Sequence, residues 1–200
     1  MKLPVKALKS LHVALKELEP HIRQPTSLRR GRPFKTFKML PRELLGNWLV
    51  CAVGNFERGT DDLKICNDPF GGDGVILDIT AGSHLVTEHV YVPPPRVATD
   101  LEGLIIGAVN HKGKRGKAYA RGKVLIVFSE ARGKWFPNKV ARRLHGIHGF
   151  EDVWVVHRGN VPLNEFGYSA ALLDLSDGEA PAWEVQIRDD FCDWHVCRVQ

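Results

Sequence analysis

Two acidic residues stand where the sequence could build a metal site. Asp73 follows a Gly-Gly pair and opens one strand-like run, and Glu88 lies inside the next run, Leu85–Val92. Strand alternation places Glu88 on the same face as the valines of its run. A buried carboxylate there requires a cation, a hydrogen-bond donor or solvent. Because two converging carboxylates repel each other, the pair predicts a bound divalent cation that prefers oxygen ligands.

Each acid also has a structural explanation that needs no metal. An aspartate after a Gly-Gly turn commonly hydrogen-bonds to nearby backbone, so Asp73 could serve the turn alone. Glu88 could pair with an arginine or lysine from a helix. Only the two acids together favour the metal site.

Three strand-like runs would position the acids. These runs are Leu63–Cys66, Gly74–Ile79 and Leu85–Val92, and residues typical of turns separate them. They predict a meander of two hairpins. The second hairpin would lay the strand that follows Asp73 beside the strand that carries Glu88.

An Asp at the head of one strand and a Glu inside the next, with a helix before and a helix–strand pair after, resembles the PD-(D/E)XK nuclease superfamily. The resemblance covers residues 41–160 and implies a restriction-endonuclease-like α/β fold. It implies that Asp73 and Glu88 hold one or two Mg²⁺ ions and that a lysine two residues after the Glu positions the attacking water. Position 90 is Val90 instead. In some members the following helix supplies this basic group, which makes Lys112, Lys114 and Lys117 candidates.

The surrounding pattern predicts the α/β class. A helix over Pro41–Asn55 precedes the meander, and its Glu43 could join the metal site or simply suit the helix dipole. A second helix over 99–110 has Thr99 as its predicted cap and Glu102 three residues later.

Two runs predicted to be buried strands, Val124–Ser129 and Asp152–His157, flank a predicted helix over Trp135–Leu144. This alternation is typical of a mixed sheet with helices on both faces. Alternation of Trp183, Val185 and Ile187 predicts an edge hairpin.

Basic residues supply two candidate nucleic-acid contacts. The segment 111–123 follows the second helix and carries Arg115 and Arg121 besides its lysines. Such cations neutralise a phosphate backbone without reading sequence, although a solvated, flexible segment is the other interpretation. The second contact is an N-terminal arm that contains Arg29, Arg30, Arg32, Lys35 and Lys38.

The arm includes Arg30-Gly31-Arg32-Pro33, which resembles an AT-hook, a motif that lies in the narrow minor groove of A·T-rich DNA. A basic linker that packs through Phe34 and Phe37 is the alternative. Before the arm, residues 5–19 predict an amphipathic helix that Pro20 and Pro25 end. This helix would pack on the main domain or on a second copy in a homodimer. We predict an appendage over 1–40 and one α/β domain over 41–200.

The composition sets wider limits. The formal net charge is +5, and the start of the chain is too charged for a signal peptide, so we expect a soluble, cytoplasmic protein that does not enter a membrane. Its four cysteines are then expected to be reduced thiols. A zinc site with Cys192, His195 and Cys197 lacks the usual close spacing and would need Cys51 or Cys66 as fourth ligand.

The leading hypothesis is a protein that binds nucleic acid, DNA rather than RNA, and hydrolyses phosphodiesters with Mg²⁺. The alternative is a non-catalytic module that binds DNA or protein on a degenerate nuclease fold. A third hypothesis is a protein-interaction domain without a nucleic-acid role.

Overall fold

The structure, a computed structural model, describes residues 8–69, 72–95, 100–131, 133–158, 166–173 and 178–200. Over these residues it is an α/β protein with six helices and one mixed sheet of nine strands, which follow one another in chain order across the sheet. The predicted α/β class is therefore confirmed.

The elements have the following bounds. The helices are α1 (Leu11–Arg23), α2 (Pro25–Arg30), α3 (Pro41–Arg58), α4 (Leu101–Gly113), α5 (Lys117–Ala120) and α6 (Pro137–Leu144). The strands are β1 (Leu8–Lys9), β2 (Leu63–Cys66), β3 (Val75–Asp78), β4 (Ser83–Val92), β5 (Lys123–Ser129), β6 (Asp152–Arg158), β7 (Phe166–Leu173), β8 (Ala182–Ile187) and β9 (Trp194–Arg198).

The chain divides into two compact units. The first takes the described residues within 1–87, 161–167 and 185–196, and the second takes those within 88–160, 168–184 and 197–200. The predicted boundary between residues 40 and 41 stays a prediction, because a compact unit need not be a domain that folds alone.

In the first unit, β2, β3 and the part of β4 up to Thr87 form the predicted meander. Both pairings are antiparallel, with Ile65 opposite Ile76 and Ile76 opposite Leu85. Asp78 holds the second turn, because its Oδ1 accepts hydrogen bonds from the backbone N–H groups of Thr80 and Ala81. The meander is confirmed, although β3 is shorter than the predicted run and β4 begins two residues earlier than predicted.

The helix predicted over 5–19 has different limits. Leu8 and Lys9 pair with β2 as a short strand, and Ser10 caps α1 by accepting a hydrogen bond from the Val13 N–H. The helix then continues through Pro20 to Arg23, so the prediction that Pro20 ends it was wrong. Burial of Ile22, one turn after Leu18, offsets the hydrogen bond that a proline cannot donate. Residues 5–7 lie outside the described part of the chain.

The apolar faces of α1 and α3 pack together. Leu11, Leu15 and Leu18 are fully buried, and so is Trp48, whose indole Nε1 donates to the Leu11 carbonyl at 2.9 Å. Packing within its own unit agrees with the first of the two interpretations of this helix. The α3 helix was expected to close at Gly54 and Asn55 but runs to Arg58, where Gly59 caps it in the left-handed conformation with φ 63°.

In the second unit, β5 and β6 are parallel, with Leu125 opposite Val153, and β7 pairs with β6 in the antiparallel sense. Helices α4 and α6 cover this core with Ile105, Val109, Val140 and Leu144. Both predicted buried strands are confirmed, and so is the helix between them, which begins at Pro137 rather than Trp135.

The second predicted helix differs at both ends. Thr99 lies outside the described residues, and the cap of α4 is Asp100, whose side chain accepts from the Glu102 N–H. The helix also runs past its predicted end at residue 110 to Gly113. Trp183, Val185 and Ile187 lie in β8, which is followed by β9 at one edge of the sheet order, in agreement with the predicted edge hairpin.

We expect Asn55→Ala to lower the free energy of unfolding by about 2 kcal/mol, because it leaves two backbone groups of a buried strand end without partners. Asn55 is buried, its Nδ2 donates to the Leu63 carbonyl, and its Oδ1 accepts from the Leu63 N–H at 2.8 Å. Urea unfolding measures the change. The exposed Thr60→Ala is the control and should stay within about 0.5 kcal/mol of the parent.

Candidate functional site

Glu88 is buried on β4 and bound by two lysines. Only 6 % of the residue is exposed, and its neighbours on the same face, Val90 and Val92, pack with the core of the second unit. Lys112 Nζ lies 3.0 Å from Glu88 Oε2, and Lys123 Nζ lies 2.8 Å from Oε1. Both carboxylate oxygens therefore accept a hydrogen bond from an ammonium group.

Local structure delivers the two lysines to Glu88. Lys112 occupies the last turn of α4, and the extension of this helix beyond residue 110 carries it to the carboxylate. Lys123 is the first residue of β5, the strand next to β4 in the sheet order. The interpretation of residues 111–123 as a flexible, solvated segment was therefore wrong for Lys112 and Lys123, because burial of the carboxylate orders them.

Tyr119 completes the surroundings of the carboxylate from α5 and hydrogen-bonds to Glu88. Lys123 Nζ lies 4.0 Å from the centre of the Tyr119 ring, and Arg115 Cζ lies 4.9 Å from it. Arg115 also donates to the Tyr119 hydroxyl at 2.9 Å. We call these five residues, Glu88, Lys112, Arg115, Tyr119 and Lys123, the Glu88 network.

The network holds Glu88 ionised. Burial alone would raise the pKa of this carboxyl, but the hydrogen bonds from Lys123, Tyr119 and Lys112 outweigh burial and lower the pKa to about 2. Burial and the hydrogen bond to Glu88 raise the pKa of Tyr119, so its hydroxyl stays protonated as a donor. With three cations and one carboxylate, the network keeps an excess of positive charge at neutral pH.

The excess of cations decides which ligand the network suits. A divalent cation on Glu88 would meet ammonium groups within 3.0 Å of both oxygens, so this arrangement does not fit Mg²⁺ unless a lysine moves away. An anion such as a phosphate group is attracted instead. Of the three lysines predicted to supply the basic group, the structure brings Lys112 to Glu88, while Lys114 and Lys117 lie exposed nearby in sequence.

Asp73 belongs to the first unit, where it lies in a bend before β3 and is half-buried. Its backbone carbonyl accepts a hydrogen bond from Asn47 Nδ2 at 3.4 Å. The acid that caps this loop is Asp68, whose Oδ2 accepts from the Gly72 N–H at 2.6 Å. The predicted metal pair of Asp73 and Glu88 stays a prediction, since the two acids fall in separate units.

Gly74 fixes the backbone between Asp73 and β3. Its φ is 144°, and a Cβ at this position would lie 2.5 Å from Asn47 Nδ2 and 3.1 Å from Thr87 Oγ1. Asn47 and Thr87 are both fully buried. Asn47 and Thr87 approach Gly74 so closely that only glycine fits there. The sequence indicated this glycine only as part of a turn.

The other basic residues lie mainly at the surface. Arg115 and Arg121 are exposed in the segment around α5. In the N-terminal arm, Arg29 and Arg30 form the end of α2, while Arg32, Lys35 and Lys38 follow it, and all five are exposed.

The arm packs against its own unit. The Gly31 N–H donates to the Ser27 carbonyl at 2.7 Å, and a Cβ on Gly31 would lie 2.7 Å from Pro41 Cγ. Phe37 is buried and Phe34 half-buried. These contacts agree with the linker interpretation, and the AT-hook resemblance stays a prediction that would require the arm to change conformation.

The cysteines of the predicted zinc site and Glu43 do not lie in a group of metal ligands among the described residues. Among the residues that the structure describes, no three His, Cys, Asp or Glu side chains are placed to hold a metal ion. Cys192 is exposed, whereas Cys66 is buried, which raises the pKa of its thiol to about 11. Glu43 accepts a hydrogen bond from the Leu40 N–H at 2.7 Å and so caps α3.

Sequence reasoning missed Tyr119 as part of the site. Its only signal was an aromatic residue within the basic segment, and the contact with Glu88 depends on the short helix α5, which the sequence did not predict.

Comparison with protein-family models, with curated proteins and with solved structures finds no match to the chain. None of the described helices combines the length and apolarity that crossing a bilayer requires.

We expect Glu88→Gln to lower the free energy of unfolding by roughly 2 to 3 kcal/mol at pH 7, because two partly buried ammonium groups lose their counter-charge. The folded pKa of about 2 lies below the ordinary value of 4.5. The carboxylate therefore stabilises the fold fully above pH 4.5, and this contribution is lost as the pH falls towards 2. Urea unfolding from pH 7 to pH 3 should show the difference between parent and variant shrinking.

Glu184→Gln removes an exposed carboxylate from β8 and is the matched control. A Glu88→Gln deficit that stays constant over the same pH range would contradict the role given to the ionised carboxylate.

Proposed function

We propose that this protein has a restriction-endonuclease-like α/β fold and binds nucleic acid, DNA rather than RNA. The binding surface is the basic surface around the Glu88 network. The fold is supported by the order of its elements along the chain: a helix, an antiparallel meander, and then helices alternating with the parallel strands β5 and β6. The resemblance in the sequence rests on the same order of elements.

One observation carries the binding proposal. The carboxylate of Glu88, which the resemblance assigns to a metal, instead accepts hydrogen bonds from Lys112 and Lys123. A buried carboxylate that already has two ammonium partners fixes the lysines and leaves a net positive charge. Preorganised cations bind phosphate with a smaller loss of side-chain entropy than free lysines do.

Exposed cations extend this charge. Lys114, Arg115, Lys117 and Arg121 lie at the surface between α4 and β5. Backbone phosphates repeat along a nucleic-acid strand, so cations spaced over such a surface can contact several of them. The proposed role of this surface is sequence-tolerant affinity, to which the basic N-terminal arm, from Arg29 to Lys38, would add.

We expect Lys114→Gln to lower the salt dependence of DNA binding. If Lys114 neutralises one phosphate, the slope of log Kobs against log salt concentration should fall by about 0.9. Fluorescence anisotropy with a labelled duplex at several salt concentrations measures this slope. The control is Arg188→Gln, which removes the same charge from an exposed position that is flanked by Asp189 and Asp190 and lies 3.9 Å from Asp193.

Equal slopes for the parent and Lys114→Gln would remove this residue from the interface. Absence of any salt-dependent binding to DNA or RNA by the parent would overturn the proposed function and favour the third hypothesis, a protein-interaction domain.

The second candidate is a Mg²⁺-dependent endonuclease with Asp73 and Glu88 as metal ligands. The observation in its favour is Lys112, which comes from the helix after the Glu88 strand and lies 3.0 Å from the carboxylate. This is where the resemblance implies a substitute for the motif lysine that Val90 replaces. In this candidate Lys112 would orient water or phosphate beside Glu88.

The two candidates differ in their need for a metal ion. For a binding module, we expect EDTA and Asp73→Asn to leave DNA affinity unchanged, and titration with Mg²⁺ or Mn²⁺ to release no heat of binding. Calorimetry and a nicking assay on supercoiled DNA measure these effects. Metal binding and DNA cleavage that disappear in Asp73→Asn, with the circular dichroism spectrum retained, would instead establish the endonuclease.

A further inference from the structure

A further basic surface lies on α6 and the residues that flank it, and it was not predicted from the sequence. Residues 132–150 contain five lysines and arginines and no acidic residue. Val140, Ala141 and Leu144 of α6 are buried, while Lys139, Arg142 and Arg143 are exposed on the remaining face. We use the name α6 surface for Lys134, Phe136, Lys139, Arg142, Arg143 and Ile147.

Most of this charge has no acidic partner. Lys139 pairs with Glu102 at 2.6 Å. Within the described part of the chain, no carboxylate pairs with Lys134, Arg142 or Arg143. Three uncompensated cations on one short stretch attract a polyanion.

Two large apolar side chains are exposed among these cations. Phe136 is 63 % exposed just before α6, and Ile147 is 57 % exposed shortly after it. An exposed phenylalanine beside lysine and arginine is the combination with which proteins bind single strands: the cations contact phosphates and the ring stacks on a base.

The segment that follows α6 packs against the proposed interface inside the second unit. The chain after α6 returns to α5, where a Cβ on Gly149 would lie 3.1 Å from Lys117 Cα. The Phe150 ring packs edge-on against Tyr119 of the Glu88 network, with ring centres 6.4 Å apart. A strand bound along α6 can therefore reach Lys117 and the network.

We infer that the α6 surface binds single-stranded nucleic acid, with Phe136 stacked on an unpaired base and Lys134 and Arg143 on the adjoining phosphates. The inference rests on the proposed function and narrows its ligand to strands with accessible bases. The bases of a duplex are already stacked on one another, so Phe136 could not reach a base face there.

Anisotropy titrations with three labelled probes test this inference: oligothymidylate of about 20 nucleotides, an abasic strand of equal length, and a duplex. The parent should bind oligothymidylate tightest. Phe136→Ala should weaken binding to oligothymidylate by roughly 5- to 100-fold and leave binding to the abasic strand unchanged. Arg143→Gln should weaken binding to both strands.

Matched controls are Phe56→Ala, which removes an equally large exposed ring from α3, and Arg188→Gln, which removes one exposed charge. Neither should alter binding. Equal losses on thymidylate and abasic strands for Phe136→Ala, or no loss on either, would overturn the stacking role.

Tighter binding of the duplex than of the single strand would overturn this inference while leaving the proposed function intact. Binding of phosphatidylserine vesicles in preference to oligothymidylate would also overturn it. Binding of no nucleic acid at all would remove the proposed function together with this inference, so the two failures are distinguishable.

Discussion

The burial of the Glu88 carboxylate is the constraint on which the described site depends. A carboxylate withdrawn from water among valines is stable only when donors surround it, and three side chains from α4, α5 and β5 provide them. This requirement explains why α4 extends to Gly113 and why β5 begins at a lysine. The charged segment between them becomes part of the folded structure because the acid beneath it must be neutralised.

The same constraint orders the positive charge of the second unit. Lysines and arginines on solvated loops are common, and each contributes less affinity because its side chain loses entropy on binding. Here Lys112, Arg115 and Lys123 are held in place before any ligand arrives. The exposed Arg142 and Arg143 of α6 belong to the same unit.

Much of the fold could be predicted from the sequence, because alternation and apolar runs directly record burial. The meander, the strands β5 and β6 and the apolar face of α3 were predicted in this way. The ends of helices were predicted less well. Pro20 was expected to stop α1, but the buried Ile22 beyond it outweighs the local effect of proline, and no local pattern records such a tertiary contact.

The site was only partly predictable for a related reason. Glu88 was recognisable because an acid among valines conflicts with its surroundings, and a lysine or arginine partner is one way to resolve that conflict. The sequence could not choose among the many lysines of the following segment, since that choice depends on the length of α4. The roles of Tyr119 and the α6 surface could not be predicted, because exposure and ring contacts arise only in the folded chain.

The proline inside α1 has a consequence for the order in which this protein folds. A helix of 13 residues is marginal in water on its own, and an interior proline weakens it by about 3 kcal/mol more. The helix therefore becomes stable only when α3 provides Trp48 and the rest of its packing surface. During synthesis on the ribosome, α1 precedes that surface by some tens of residues, which at about 5–20 residues per second is a matter of seconds. In this interval the leucines of α1 lack the packing surface that buries them in the folded protein.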